Sequence, residues 1–288
     1  MKLGLCLSGG GVKGAAHIGV IKALEEHNIK PDCISGTSAG SIVAGLYAMG
    51  YNSKEMIDLF MCYAKDISKI DFYIIVKMVL GLIFTRKLCV QGLNSGNKIG
   101  KLIQNQAHKK HINLIKDIKM LLIIPSVSLD DGSICIFSSQ KSYRGYLNNV
   151  NIVNNVEIGK AVQASCAYPG IFCPTEIMGR KLVDGGIREN TPWKDLKNIG
   201  AEKIISIVFS EDKKAKKDIN ILDCITRSMG IMMHELYNYE LEGIDYLLNV
   251  KTGDIGLLET EKIEELYNIG YNTAKKEMNK IKEYLQKK

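Results

Sequence analysis

Three short stretches carry residues whose types and spacing can do chemistry. The first is Ser8-Gly9-Gly10-Gly11-Val12-Lys13-Gly14, and the second is Gly36-Thr37-Ser38-Ala39-Gly40. The third is Leu182-Val183-Asp184-Gly185-Gly186. Glycines at a helix N-terminus expose backbone N–H groups, which bind negative charge. Gly9, Gly11 and Gly14 also satisfy GxGxxG, and Asp32 lies at the distance expected of a ribose acceptor, so a dinucleotide site is one reading of the first stretch. A Walker loop is not, because Lys13 is followed by Gly14. The second stretch is GxSxG, the pattern of a nucleophile elbow at a strand-to-helix turn. There the neighbours of the serine must be small, and the following helix points its positive end at developing anion.

Taken together, the stretches supply what acyl transfer requires. Ser38 offers a hydroxyl nucleophile, and the amides of Gly9, Gly10, Gly11 and Ala39 offer an oxyanion hole. Lys13, Gly14, Gly36, Gly40, Gly185 and Gly186 support these groups. A dinucleotide site leaves GxSxG without a use. For the base, Asp184 ends an apolar strand and is followed by two glycines, so it can reach a site without a bulky neighbour. Of the five histidines, His17 reads as a packing residue, His27 as the end of its helix, and His108 and His111 as exposed. Only His234 comes late enough for the Ser…Asp…His order of α/β-hydrolases, but it falls mid-helix where that family uses a loop. A Ser38–Asp184–His234 triad therefore stands as the alternative, beside a module that binds lipid or nucleotide without chemistry.

The elements that must position these groups alternate between strand and helix. Apolar runs predict strands at 3–7, 33–35, 120–127, 133–137, 181–183, 204–208 and 246–250, with Asp130-Asp131-Gly132 as a hairpin turn. Helical spacing follows each glycine motif, and Ser53 is predicted to cap a helix running to residue 64. Longer helical patterns cover about 219–241 and 261–285. Such alternation predicts an α/β fold with a largely parallel central sheet. We read 1–288 as one domain, its motif-bearing part about 3–210 with a helical part, about 211–288, packed on it.

With these motifs on the page, the sequence resembles the patatin-like phospholipases. The glycine loop, the elbow and Asp184-Gly185-Gly186 occur in that family's order. Ala164-Ser165-Cys166-Ala167-Tyr168-Pro169-Gly170-Ile171-Phe172-Cys173-Pro174 and Asn190-Thr191-Pro192 match as well. The resemblance covers about residues 3–210. It implies a three-layer α/β/α fold, a Ser38–Asp184 dyad with no histidine, calcium or other cofactor, and a phospholipid or lysophospholipid substrate. Ser8 stands where many members have Asp, and Lys13 where many have Arg. Neither change removes a catalytic group.

Composition narrows the remaining classes. The chain has 288 residues, 46% of them hydrophobic, and a net charge of +7, with only five of its 38 basic residues arginine. That charge suits an anionic membrane surface, and no motif reads nucleic acid. Eight dispersed cysteines without CxxC pairs predict free thiols and a cytoplasmic protein. The longest apolar stretch, 72–84, is too short to span a bilayer and is expected to be core, lid or membrane-docking surface. The basic run 213–217 is expected to be a solvated loop.

Overall fold

The computed structural model describes residues 1–67, 91–140, 143, 150–210 and 221–287. The apolar stretch 72–84 and the basic run 213–217 lie outside them. In chain order the strands are β1 Leu3–Leu7, β2 Cys33–Gly36, β3 Gly92–Asn94, β4 Leu121–Ser128, β5 Ile134–Ser138, β6 Val150–Val153, β7 Gly170–Phe172, β8 Thr175–Ile177, β9 Arg180–Asp184, β10 Lys203–Ser210 and β11 Tyr246–Lys251. The helices are α1 Gly14–Glu26, α2 Ala39–Ala48, α3 Ser53–Ile67, α4 Asn97–Lys109, α5 Ile158–Ser165, α6 Trp193–Asn198, α7 Ile221–Glu240 and α8 Ile263–Gln286.

The main sheet runs β11-β10-β1-β2-β4-β5-β6, parallel from β11 through β4 and again between β5 and β6. Strands buried on both faces need apolar side chains throughout, which is why β1 and β4 are buried along their whole length. Successive residues of these strands feed two cores. Leu5, Leu7, Ile34, Leu122 and Ile124 pack on one side with α1, α2 and α8, the larger core. Cys6, Cys33, Leu121, Ile123 and Ile204 pack on the other with Trp193 and Leu196 of α6. Helices thus cover both faces, as the resemblance implied.

The departure from parallel order is at β4. Its first half pairs with β2, Ser35 opposite Ile123, and its second half pairs with the antiparallel β9, Asp184 opposite Ser126. The C-terminal ends of β2 and β9 therefore run towards each other along one edge of β4. Three residue steps along β4 separate those registers, about 10 Å of strand. Sequence pattern identified the strand ending at Asp184 but not its direction.

Other differences have local causes. Asn52 caps α3, not Ser53: Asn52 Oδ1 accepts the Glu55 amide at 3.0 Å and Glu55 Oε2 accepts the Asn52 amide at 2.9 Å, a reciprocal box. The Ser53 hydroxyl instead donates to Glu25 Oε2 at 2.5 Å. Helix α4 was not predicted, because its buried stripe holds only Ile99, Ile103 and Ala107 as apolar residues. His108 in its last turn and His111 just beyond it are exposed as expected. Asp32 is no ribose acceptor: its carboxylate accepts the Leu3 amide at 2.7 Å and its own amide donates to Leu3 O. Helix α8 returns to the front of the chain and packs backbone to backbone on α1, where a Cβ at Gly270 would stand 2.0 Å from Ala16 O.

Candidate active site

The glycine loop leaves β1 at Leu7. Ser8 N–H donates to Ile207 O at 3.1 Å, and Gly9 N–H is taken by Asn190, through its main-chain carbonyl at 3.3 Å and its Oδ1 at 3.2 Å. Gly9 is therefore occupied, and the amides of Gly10 and Gly11 are the loop's unengaged donors among the described residues. Gly11 opens a single 3-10 turn to Lys13 with φ +59°, and a Cβ there would lie 2.3 Å from Leu257 O. Only glycine meets both demands. Lys13 is fully buried in that turn, its amide donating to Gly10 O, and Gly14 begins α1. Beneath the loop His17 is buried and bonds Ser8 O through Nε2 at 2.8 Å. Burial pushes its pKa down to about 4, so the ring is neutral at pH 7 and Nε2 carries the donated proton.

The elbow follows β2, which ends at Gly36. Ser38 has φ +52° and ψ −123°, a strained conformation for a non-glycine residue. Three bonds hold it. Its N–H donates to Ser165 Oγ at 3.0 Å, its carbonyl accepts Ser41 Oγ at 2.6 Å, and Thr37 Oγ1 donates to Glu189 O at 2.9 Å. Gly40 allows close packing under the turn, since a Cβ would meet Leu7 O at 2.4 Å. Ala39 is the first residue of α2, so its N–H has no partner within the helix and points with the helix's positive end.

Asp184 closes β9 and is buried. Its N–H donates to Ala167 O at 3.0 Å, and its Oδ1 accepts the Gly186 amide at 2.8 Å. Gly185 and Gly186 form the turn that follows, both buried. Burial raises the Asp184 pKa to about 6, opposed by the Ser38 side chain and then by the Gly186 amide. Of the two, the Gly186 bond is fully formed, whereas buried Oδ2 makes no hydrogen bond. An acceptor oxygen with unused lone pairs thus stands near the Ser38 hydroxyl. His234 lies within α7, on a helix.

A cavity of about 100 Å³, open to solvent, reaches Ser38. Gly11, Ser38 and Ala39 line its polar end, and Leu46, Phe60, Leu102 and Phe172 its apolar walls. Leu257 and Leu258 also line it while remaining 37% and 48% exposed. Sequence reasoning missed this pair, whose only signal was two leucines in a glycine-flanked loop. It also missed Ser165, inside a matched block but without an assigned role, and Glu240, which sits on a helix with no motif. Glu240 accepts the Asn190 amide at 2.9 and 3.0 Å and the Thr191 amide at 2.9 Å.

All seven described cysteines are free thiols. Among the described residues no group of three or more His, Cys, Asp or Glu is arranged to hold a metal ion. No described helix is long and apolar enough to cross a membrane.

A serine on a strand-to-helix elbow, unengaged loop amides and a buried carboxyl thus stand together on an α/β fold. The chain belongs to the patatin-like phospholipase family, whose model matches residues 5–197. It is 30% identical over 205 residues to Lysophospholipase NTE1 of Debaryomyces hansenii, covering 71% of this chain and 12% of that protein. With Lysophospholipase NTE1 of Scheffersomyces stipitis it shares 24% identity over 302 residues, 95% of this chain and 18% of that protein. The chain thus spans less than a fifth of these relatives. Two solved structures share its fold. VipD from Legionella pneumophila has a TM-score of 0.54 at 15% identity, over 97% of this chain and 67% of that one. ExoU of Pseudomonas aeruginosa, in its complex with SpcU, has 0.50 at 16%, over 100% and 53%.

Proposed function

We propose that this chain is a serine acyl-ester hydrolase that releases fatty acid from phospholipid or lysophospholipid, working as a single patatin-like domain over 1–288. The observation that carries this reading is Asp184, whose Oδ2 is buried without a partner near Ser38 and whose pKa is lifted to about 6. An ordinary carboxylate is a weak base for a hydroxyl, and desolvation makes this one stronger.

Asp184 takes the Ser38 proton as Oγ bonds to the ester carbonyl carbon, whose π electrons move onto oxygen. The amides of Gly10, Gly11 and Ala39 hold that oxyanion; each such donor contributes about 2.7–4 kcal/mol in related sites. Collapse breaks the ester C–O bond, and protonated Asp184 gives its proton to the leaving alkoxide. Water, deprotonated by Asp184, then attacks the acyl-enzyme and frees the fatty acid while the proton returns to Ser38 Oγ. The apolar cavity walls suit an acyl chain. The +7 charge and the exposed Leu257–Leu258 pair suit an encounter with anionic lipid at a membrane surface from a cytoplasmic location.

Fluorophosphonate labelling of the purified chain tests the reading. Wild type is expected to take one label, lost in Ser38→Ala. No label on folded wild type would make the chain a binding module instead. His234→Ala serves as the control: the dyad keeps turnover near wild type, whereas a triad loses it.

A further inference from the structure

One motif has no role in the steps above. Asn190-Thr191-Pro192 belongs to the segment 189–193, which bonds both the strand and turn before Ser38 and the glycine loop. Glu189 O accepts Thr37 Oγ1 at 2.9 Å, and Pro192 O accepts Ser35 Oγ at 2.9 Å, both at the nucleophile's strand and turn. Asn190 holds the Gly9 amide through two oxygens, so the peptides carrying the Gly10 and Gly11 N–H groups inherit their orientation from it. The same segment follows Asp184 by only a few residues. What fixes this bracket comes from outside the family match: the carboxyl of Glu240, at the C-terminal end of α7, accepts the amides of Asn190 and Thr191. Its main-chain carbonyl accepts Trp193 Nε1 at 2.7 Å.

We infer that Glu240 and Asn190 form a positioning pair for the oxyanion hole, with ionised Glu240 holding the bracket and Asn190 transmitting its position to the glycine loop. The inference rests on the hydrolase reading. Ionised Glu240 accepts all three N–H contacts as charge-assisted bonds; protonation at Oε1 would sacrifice the contact there and leave the two to Oε2 as weaker, neutral bonds. The groups facing it are Glu189 and Lys194 beside the bracket, Tyr237 on its own helix and Cys6 on β1. Burial, with repulsion from Glu189 adding to it, raises the Glu240 pKa to about 7 against the pull of the two amides and Lys194. The hole is therefore held firmly above neutrality and loosens below it.

The test is kcat and KM on a short soluble ester across about pH 5 to 9, for wild type and Glu240→Gln, with thermal unfolding alongside. Wild-type kcat should fall on the acid side through two groups, one near 7 and one near 6. In Glu240→Gln the upper one should vanish. Plateau kcat should drop about tenfold to a hundredfold, and KM should stay within about twofold. A folded Glu240→Gln protein with the wild-type acid limb overturns the inference. Should that variant not fold, Asn190→Ala carries the test, because it keeps the main-chain carbonyl and loses only Oδ1. Reduced kcat at constant KM supports the pair, and wild-type kcat overturns it. A wild type that takes no fluorophosphonate label ends the hydrolase reading and this inference with it. A labelled wild type with an unchanged Glu240→Gln profile ends the inference alone.

Discussion

The Ser38 amide donates to Ser165 Oγ at 3.0 Å, joining the strained turn of the proposed nucleophile to the last residue of α5. Because Ser38 has positive φ, something outside the turn must hold it there. Ser165→Ala removes the acceptor and leaves a backbone N–H unsatisfied. We expect a loss of about 1–3 kcal/mol in unfolding free energy. The rate of Ser38 labelling should fall by more than the unfolded fraction explains. Comparing denaturant unfolding with labelling kinetics checks both, and unchanged labelling would exclude Ser165 from positioning the nucleophile.

Gly11→Ala attacks the oxyanion loop from the opposite side. The new methyl group meets the Leu257 carbonyl at 2.3 Å and must also hold a left-handed conformation. That conformation alone costs about 1–2 kcal/mol. The loop should shift, so kcat should fall about a hundredfold or more while the chain remains folded. Steady-state kinetics with circular dichroism measures the two together.

Asp184 makes stability depend on pH in a direction opposite to that of most acids. Its folded pKa is raised from 3.8 to about 6, so its contribution is fully present below the unfolded value and is lost as pH rises through about 6. That rise corresponds to about 3 kcal/mol between the two ends. Glu240, raised to about 7, adds a second loss in the same sense. The wild-type melting temperature should therefore decline from pH 5 to 8 by virtue of these groups. Asp184→Asn should be the more stable protein at pH 8 and catalytically dead. A flat wild-type profile, or an Asp184→Asn variant less stable than wild type at pH 8, would contradict the buried-base assignment.

Leu258→Asp separates docking from chemistry. Leu258 lines the cavity but is half exposed and makes none of the hydrogen bonds that hold the glycine loop, so its replacement should spare a short soluble ester. Hydrolysis of anionic vesicles should drop about tenfold or more, from lost apolar insertion and added like-charge repulsion. Equal loss on both substrates would show that Leu258 shapes the catalytic cavity instead of the approach to lipid.

Much of this arrangement is written locally and was legible for that reason. β1 with its glycine loop, β2 with its elbow, and the strand ending at Asp184 each combine an apolar run with a glycine signal inside a few residues. The missed features depend on distant partners. Glu240 looks like any surface glutamate until the chain folds back to bring Asn190 under it. Ser53 lost the cap to Asn52 because Glu25, nearly thirty residues earlier, bonds its hydroxyl. Gly9 looked equivalent to Gly10 and Gly11, and only the return of Asn190 removes its amide from the hole. The direction of β9 is set by pairing with β4 and leaves no trace in its own composition.

That direction bears on how the chain can vary. Ser38 and Asp184 arrive from opposite ends of one edge, and β4 sets the strand register of both. Lengthening the turn at Met178-Gly179, where Met178 is 80% exposed, changes nothing between them. Inserting a single residue into β4 between Ile123 and Ser126 would move the acid along the edge and turn it to the other face of the sheet. Indels are thus expected to be absorbed at the hairpin tip and excluded from the few strand positions that act as the gauge between Ser38 and Asp184.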